Sequence, residues 1–205
     1  MQLIGLLRSP FVRRVAISLK YYGIPFEHYP LSAFGDDYAT LASINPVVKL
    51  PTLVLDNGDI LMDSSLILEY FESQVPMMQK LLPSSPNELA THLKVIGLAL
   101  MGCEKTVQLA YELHRRPEEK HYQPWIDRVT NQIKGAFTVL EQEVAKNTFK
   151  AIDDSINQAA ISTAVAWSFN QFAVPDLLKP EDFPTLSQFT KELETLPIFL
   201  DTPIN

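Results

Sequence analysis

Three short stretches of the chain hold side chains whose type and setting suit chemistry. Ser9 stands between an apolar run, residues 2–7, and Pro10, so it opens the first helix. There the unpaired N–H groups and the helix dipole favour an anion or a thiolate. Serine at such a place is also an ordinary N-cap, and both readings stand. As a nucleophile it would need a base and a Gly-x-Ser-x-Gly elbow, which the chain lacks, so its useful act is hydrogen-bond donation to a bound thiolate. Leu50-Pro51 precedes a strand. With a cis bond the backbone of Leu50 turns outward as an unpaired edge that an extended peptide can join; with a trans bond it is a plain turn. Asp63-Ser64-Ser65 caps a later helix by default. The same groups suit a carboxylate, held by Ser64 and an N–H, and an amine, held by Asp63.

The elements that must position these residues follow from periodicity and punctuation. Residues 2–7 have strand length, and Phe11, Val15, Leu19 and Tyr22 recur at helical spacing over 10–22, with Gly23 suited to the left-handed C-terminal position. Residues 25–29 form a second strand, parallel to the first by the handedness of such units. Residues 32–44 read as a loop or irregular helix. The runs 52–55 and 60–62 flank Asp56-Asn57-Gly58-Asp59, a strong hairpin signal, and Leu66, Ile67, Tyr70 and Phe71 stripe the helix that Asp63 opens. The order β-α-β-(α)-β-β-α gives a mixed sheet with helices, an α/β domain, in about eighty residues. Beyond Pro83-Ser84-Ser85-Pro86 everything reads as helix: Leu89, Leu93, Ile96 and Leu100 stripe one, and Ile126, Val129, Ile133, Leu140 and Val144 another. Residues 159–172 are almost all apolar or small, as expected for the buried centre of a bundle. Leu186, Phe189 and Leu193 face inward from a last helix after Phe183-Pro184. The predicted division is 1–76, a linker at 77–86, and an all-α domain at 87–205.

Composition excludes several classes of function. The chain has 205 residues and a net charge of −7, which leaves no general attraction for nucleic acid or anionic lipid. No apolar run approaches bilayer length, so no membrane partner is expected and the protein is read as soluble and cytoplasmic. The single cysteine, Cys103, permits neither an internal disulfide nor a Cys-rich zinc site and is read as a small packed residue. His28, His92, His114 and His121 lack ligand spacing, so no metal is expected.

Taken together, Ser9-Pro10-Phe11-Val12-Arg13-Arg14, Asn45-Pro46-Val47-Val48-Lys49-Leu50-Pro51-Thr52-Leu53 and Asp63-Ser64 before Leu66-Ile67-Leu68-Glu69-Tyr70 resemble the glutathione S-transferase superfamily in residue type, order and spacing. The nearest likeness is to bacterial cytosolic members that begin Ser-Pro-Phe-Val-Arg. The resemblance implies a thioredoxin-like N-terminal domain with a mixed four-stranded sheet, an all-helical C-terminal bundle, and glutathione as co-substrate. It places Ser9 at the catalytic position and Pro51 as the cis-proline. It pairs the Leu50 backbone with the cysteinyl part of the tripeptide, sets Asp63 and Ser64 on the γ-glutamyl end, and puts Lys49 near the glycyl carboxylate or the cysteinyl backbone, with Phe11 beside the site. It also implies a homodimer and a detoxifying transferase whose thiolate attacks a hydrophobic electrophile. Phe11, Leu100, Tyr111 and Trp167 are the candidate lining of the electrophile pocket, although aromatics at helical spacing are more often core than substrate pocket. Peroxidase or isomerase chemistry, or a non-catalytic binding role on the same fold, remain alternatives.

Three positions depart from the family pattern. Val48 replaces the glycine common in its loop, which is expected to stiffen or reshape the turn. Asn157 is followed at the third residue by Ala160, so the capping box of the buried helix is incomplete. Position 9 is Ser, not Cys, which argues against branches that work through a mixed disulfide.

Overall fold

The computed structural model describes residues 1–149 and 156–204. It divides into two compact units, Met1–Leu81 joined by the segment from Leu196 onward, and Leu82–Thr195. The first unit carries β1 (Gln2–Ile4), α1 (Pro10–Tyr21), β2 (Glu27–Tyr29), α2 (Asp37–Ile44), β3 (Thr52–Val54), β4 (Ile60–Met62) and α3 (Ser64–Glu72). The strands form one sheet in the order β2-β1-β3-β4. β1 and β2 are parallel, whereas β3 runs antiparallel to both β1 and β4.

Local chemistry accounts for the boundaries. Pro10 supplies a fixed φ at the first position of α1, where its missing N–H costs nothing. Gly23, at φ 68°, ends the helix in the left-handed conformation: its N–H donates to the Lys20 carbonyl and that of Ile24 to the Leu19 carbonyl. The helix therefore stops at Tyr21 and Tyr22 is its C-cap. Leu55 N–H donates to the Asp59 carbonyl across the Asn57-Gly58 turn, closing the β3–β4 hairpin. Residues 37–44, ambiguous in sequence, form the regular helix α2. Leu3, Ile4 and Leu53 of the sheet and Val12, Val15 and Leu19 of α1 are fully buried.

The second unit is helical: α4 (Pro86–His114), α5 (Gln123–Ala145), α6 (Gln158–Ala173) and α7 (Pro184–Leu193). α6 is buried almost along its whole length, as its lack of a polar face requires. Asn157 caps it with one half of a capping box, its Oδ1 accepting from Ala160 N–H at 2.9 Å. The inner face of α4 keeps Ile96 of the apolar stripe expected of it, with Leu89 and Leu100 half-buried, but is otherwise built from other residues. Val95, Ile96, Ala99, Gly102, Cys103, Thr106 and Leu109 are buried, while Leu93 is 50% exposed. Small residues win because they admit a neighbour closely: a Cβ on Gly102 would lie 3.2 Å from the Phe137 ring of α5.

The last short helix, α8 (Pro197–Leu200), does not belong to the helical unit, so the expected span 87–205 ends at Thr195. α8 packs on α1 within the first unit. Arg13, fully buried on α1, donates from Nε to the Thr202 carbonyl at 2.7 Å and lies over the Phe199 ring. Among the described residues no helix is long and apolar enough to cross a membrane.

Candidate functional site

Sheet register brings the three sequence-predicted segments to one end of the first unit. Ile4, the last residue of β1, pairs with Thr52, the first of β3, and Thr52 pairs with Met62, the last of β4. The loop from β1 to Ser9, the Leu50-Pro51 entry to β3, and the Asp63-Ser64 exit from β4 therefore lie at the same end of the strands. Gly5 makes the first of these possible. It adopts φ 133°, and a Cβ on it would collide with Val12 Cγ2 at 2.5 Å while touching Leu50, so only glycine lets β1 turn into α1 here.

Ser9 occupies the N-cap of α1 with extended backbone, but its side chain makes no capping hydrogen bond. Its carbonyl accepts from Arg13 N–H and its own N–H donates to Leu6 O. The hydroxyl thus has no partner among the described residues and stands at a helix N-terminus. Of the two readings left open for it, side-chain capping is not the one adopted.

The Leu50–Pro51 bond is cis. Neither the N–H nor the carbonyl of Leu50 pairs with another group among the described residues. The loop before it is held from within. Asn45, buried, donates from Nδ2 to Thr52 Oγ1 at 2.9 Å, and its Oδ1 accepts from Val47 N–H at 3.0 Å. Thr52 Oγ1 in turn donates to the Lys49 carbonyl. Val48 sits at φ 53°, a left-handed conformation that costs a β-branched residue about 1–2 kcal/mol. Its side chain packs on the cluster of Ile4, Leu31 and Leu41, which offsets part of that cost. The exposed Lys49 places its ammonium over the half-buried Phe11 ring at 5.9 Å.

Asp63 is the N-cap of α3, and its Oδ1 accepts from Ser65 N–H at 2.8 Å, leaving the second carboxylate oxygen without a hydrogen-bond partner among the described residues. Its backbone is at φ 67° and ψ 124°, a region costly to any residue but glycine, which turns the chain sharply from β4 into α3. Ser64 behind it is buried. Arg14, also buried, donates from Nη1 to the hydroxyl oxygens of Ser64, at 3.0 Å, and Ser65, at 3.2 Å.

Arg14 and Asn45 had no site role in the sequence reading. The signals were present: an arginine among Val12, Val15 and Ala16 on the core side of a helix, and an Asn-Pro pair opening a loop. Of the expected electrophile lining, Phe11 lies at this end of the first unit. Leu100 is half-buried and Tyr111 exposed on α4. Partial burial raises the Tyr111 phenol above its usual value against the opposing charge of Arg115, so it stays protonated at neutral pH. Trp167 retains 4% exposure, with its ring against Phe137 and Phe183, which is the core alternative raised for it. Among the described residues no three His, Cys, Asp or Glu side chains are grouped to hold a metal.

Comparison with known proteins gives a consistent answer. Residues 3–81 match the family profile described as glutathione S-transferase, N-terminal domain. An uncharacterized GST-like protein of Escherichia coli K12, YibF, is 31% identical over 172 residues, covering 84% of this chain and 83% of that protein. Glutathione S-transferase U3 of Arabidopsis thaliana is 29% identical over 213 residues, covering 96% and 85% respectively. Among solved structures, a glutathione transferase family member from Pseudomonas fluorescens Pf-5 with bound glutathione superposes with a TM-score of 0.86 at 32% identity, over 100% of this chain and 98% of that one.

Proposed function

The chain belongs to the glutathione S-transferase superfamily, and from that premise we propose that it binds glutathione at the sheet end where Ser9, Leu50 and Asp63-Ser64 converge, and uses the tripeptide's thiolate against a hydrophobic electrophile. The observation that carries this reading is the Ser9 hydroxyl, placed at the α1 N-terminus yet not spent on capping it. A thiol of ordinary pKa is mostly protonated at neutral pH, and a site that lowers the value by two units supplies about 2.7 kcal/mol of thiolate stabilisation. The hydroxyl donor and the helix N-terminus are the agents proposed here. The unpaired N–H and carbonyl of Leu50 match an extended cysteinyl backbone. Asp63, with one carboxylate oxygen outside its cap bond, suits the γ-glutamyl amine, and the Ser64 region suits the γ-glutamyl carboxylate. Lys49, held over Phe11, suits the glycyl carboxylate. In the reaction the thiolate sulfur forms a bond to an electrophilic carbon, and the leaving group departs with its electron pair.

The reading extends to a cytoplasmic homodimer. The exposed apolar face of Ile60, Met62, Leu66 and Tyr70 supports pairing. A sedimentation mass twice that of one chain is expected; a monomer mass at micromolar concentration counts against it.

The deciding experiment is calorimetric titration of reduced and S-methyl glutathione into wild type and Ser9→Ala, with turnover of an activated aryl halide measured alongside. Binding of one tripeptide per chain is expected in both proteins, with turnover in the variant lower by about 10- to 100-fold. Unchanged turnover would remove Ser9 from the chemistry. Absence of binding by a folded wild type would favour a non-catalytic role on this fold.

A further inference from the structure

Arg14 is one of the most deeply buried charged groups in the molecule, 3% exposed, and the chemistry just described leaves it without a task. A guanidinium carries donors only. When Arg14 Nη1 points at Ser64 Oγ and Ser65 Oγ, both hydroxyls must act as acceptors towards it, so each keeps its own proton for another partner. Neither proton meets an acceptor among the described residues, and the Ser64 N–H is likewise unpaired. The start of α3 therefore presents N–H and O–H donors whose direction is set from behind by a buried cation.

Resting on the glutathione reading above, we propose that Arg14 is the positioning residue of the γ-glutamyl carboxylate: it fixes the polarity of the Ser64 and Ser65 hydroxyls so that they donate to that group. A free serine hydroxyl rotates and pairs with the nearest carbonyl, losing its donor to the protein itself. The guanidinium prevents this by occupying the hydroxyl oxygens. The same two helices are tied together by a second polar contact: Tyr22 donates its hydroxyl to Glu72, and Glu72 Oε2 also accepts from Leu81 N–H at 3.2 Å. Burial, followed by the bond to Glu72, raises the Tyr22 phenol far above its usual value, so the donor of that bond stays protonated at every working pH.

Glutamine at position 14 offers an acceptor as well as donors, so the Ser64 hydroxyl can turn inward. Lysine keeps the donor-only character and the charge without the planar fork. The experiment measures dissociation constants of S-hexylglutathione and of its analogue with 4-aminobutyryl in place of γ-glutamyl, which lacks only the α-carboxylate. Wild type, Arg14→Gln and Arg14→Lys are compared, with thermal unfolding of each protein recorded. Arg14→Gln is expected to weaken S-hexylglutathione about tenfold, or about 1.4 kcal/mol, and the analogue less than about twofold. Arg14→Lys is expected to recover most of the loss. An equal loss for both ligands would show a structural role and overturn the proposal. Should Arg14→Gln fail to fold, Ser65→Ala replaces it, with the same ligand-selective loss expected and equal loss decisive against. A folded wild type that binds neither ligand removes the glutathione reading itself, a result distinct from selective or equal losses in the variants.

Discussion

At the scale of single residues, the site is built from groups held in conformations they would not choose alone. Val48 is the clearest case. A β-branched side chain at φ 53° is strained, and the glycine common at this place in the family would not be. In an ordinary loop, alanine is more stabilising than glycine, because glycine has more freedom to lose. Here the order is expected to invert: Val48→Gly should be more stable than Val48→Ala by about 0.5–1 kcal/mol, since both lose the packing on Ile4, Leu31 and Leu41 but only glycine escapes the strain. Urea denaturation of the pair decides it, and the usual order would mean that the turn relaxes around the side chain. Asp63, at φ 67°, is strained in the same way and caps α3 with one carboxylate oxygen.

At the scale of elements, α4 and α5 are joined by a buried carboxylate. Glu143 on α5 accepts from Lys94 on α4 at 2.7 Å and from the Thr148 hydroxyl at 3.1 Å, with the Lys146 ammonium at 3.7 Å. The bond from Lys94 holds its carboxyl below the usual value, against burial, which raises it. A carboxyl depressed in the folded state contributes stability that is fully present above its unfolded value near 4.5 and is lost as pH falls through the lower folded value. Denaturant unfolding between about pH 6 and pH 3 should therefore show an acid-side loss of stability that is smaller in Glu143→Gln. The same slope in both proteins would remove Glu143 as its source. The periodicity of α4 pointed to Leu93, yet the helix turns Ala99, Gly102 and Cys103 inward, where the absence of a side chain on Gly102 admits the Phe137 ring.

At the scale of the whole molecule, the chain begins and ends in the same unit. The segment from Leu196 returns to α1, where Phe199 is fully buried and Arg13 spans the gap between the ring and the Thr202 carbonyl. Four residues before Arg13 lies Ser9, so the terminal segment braces the helix that carries the site. Truncating Phe199→Ala is expected to cost about 3–5 kcal/mol and to leave the Arg13 guanidinium with poorer cover. Chemical denaturation measures the loss; a change under about 1 kcal/mol would mean that the brace is dispensable. Nothing in the terminal residues taken alone announces this, because the partner is nearly two hundred positions away.

What the sequence by itself determined is everything set by short-range physics. Pro10, Gly23, Asn57-Gly58 and Asp63 mark where elements start and stop, since φ restriction, left-handed glycine and side-chain capping act within four residues. The three segments of the site were legible for the same reason, each being a helix start or a strand entry with its own local signature. Tertiary structure alone decided which partners those groups meet. It left the Ser9 hydroxyl off its cap. It set Arg14 behind Ser64 and carried the last residues back to α1. The Arg14 and Thr202 contacts depend on burial and on partners far apart in sequence, and a hydrogen bond or a packed ring between distant residues leaves no periodicity in the chain that makes it.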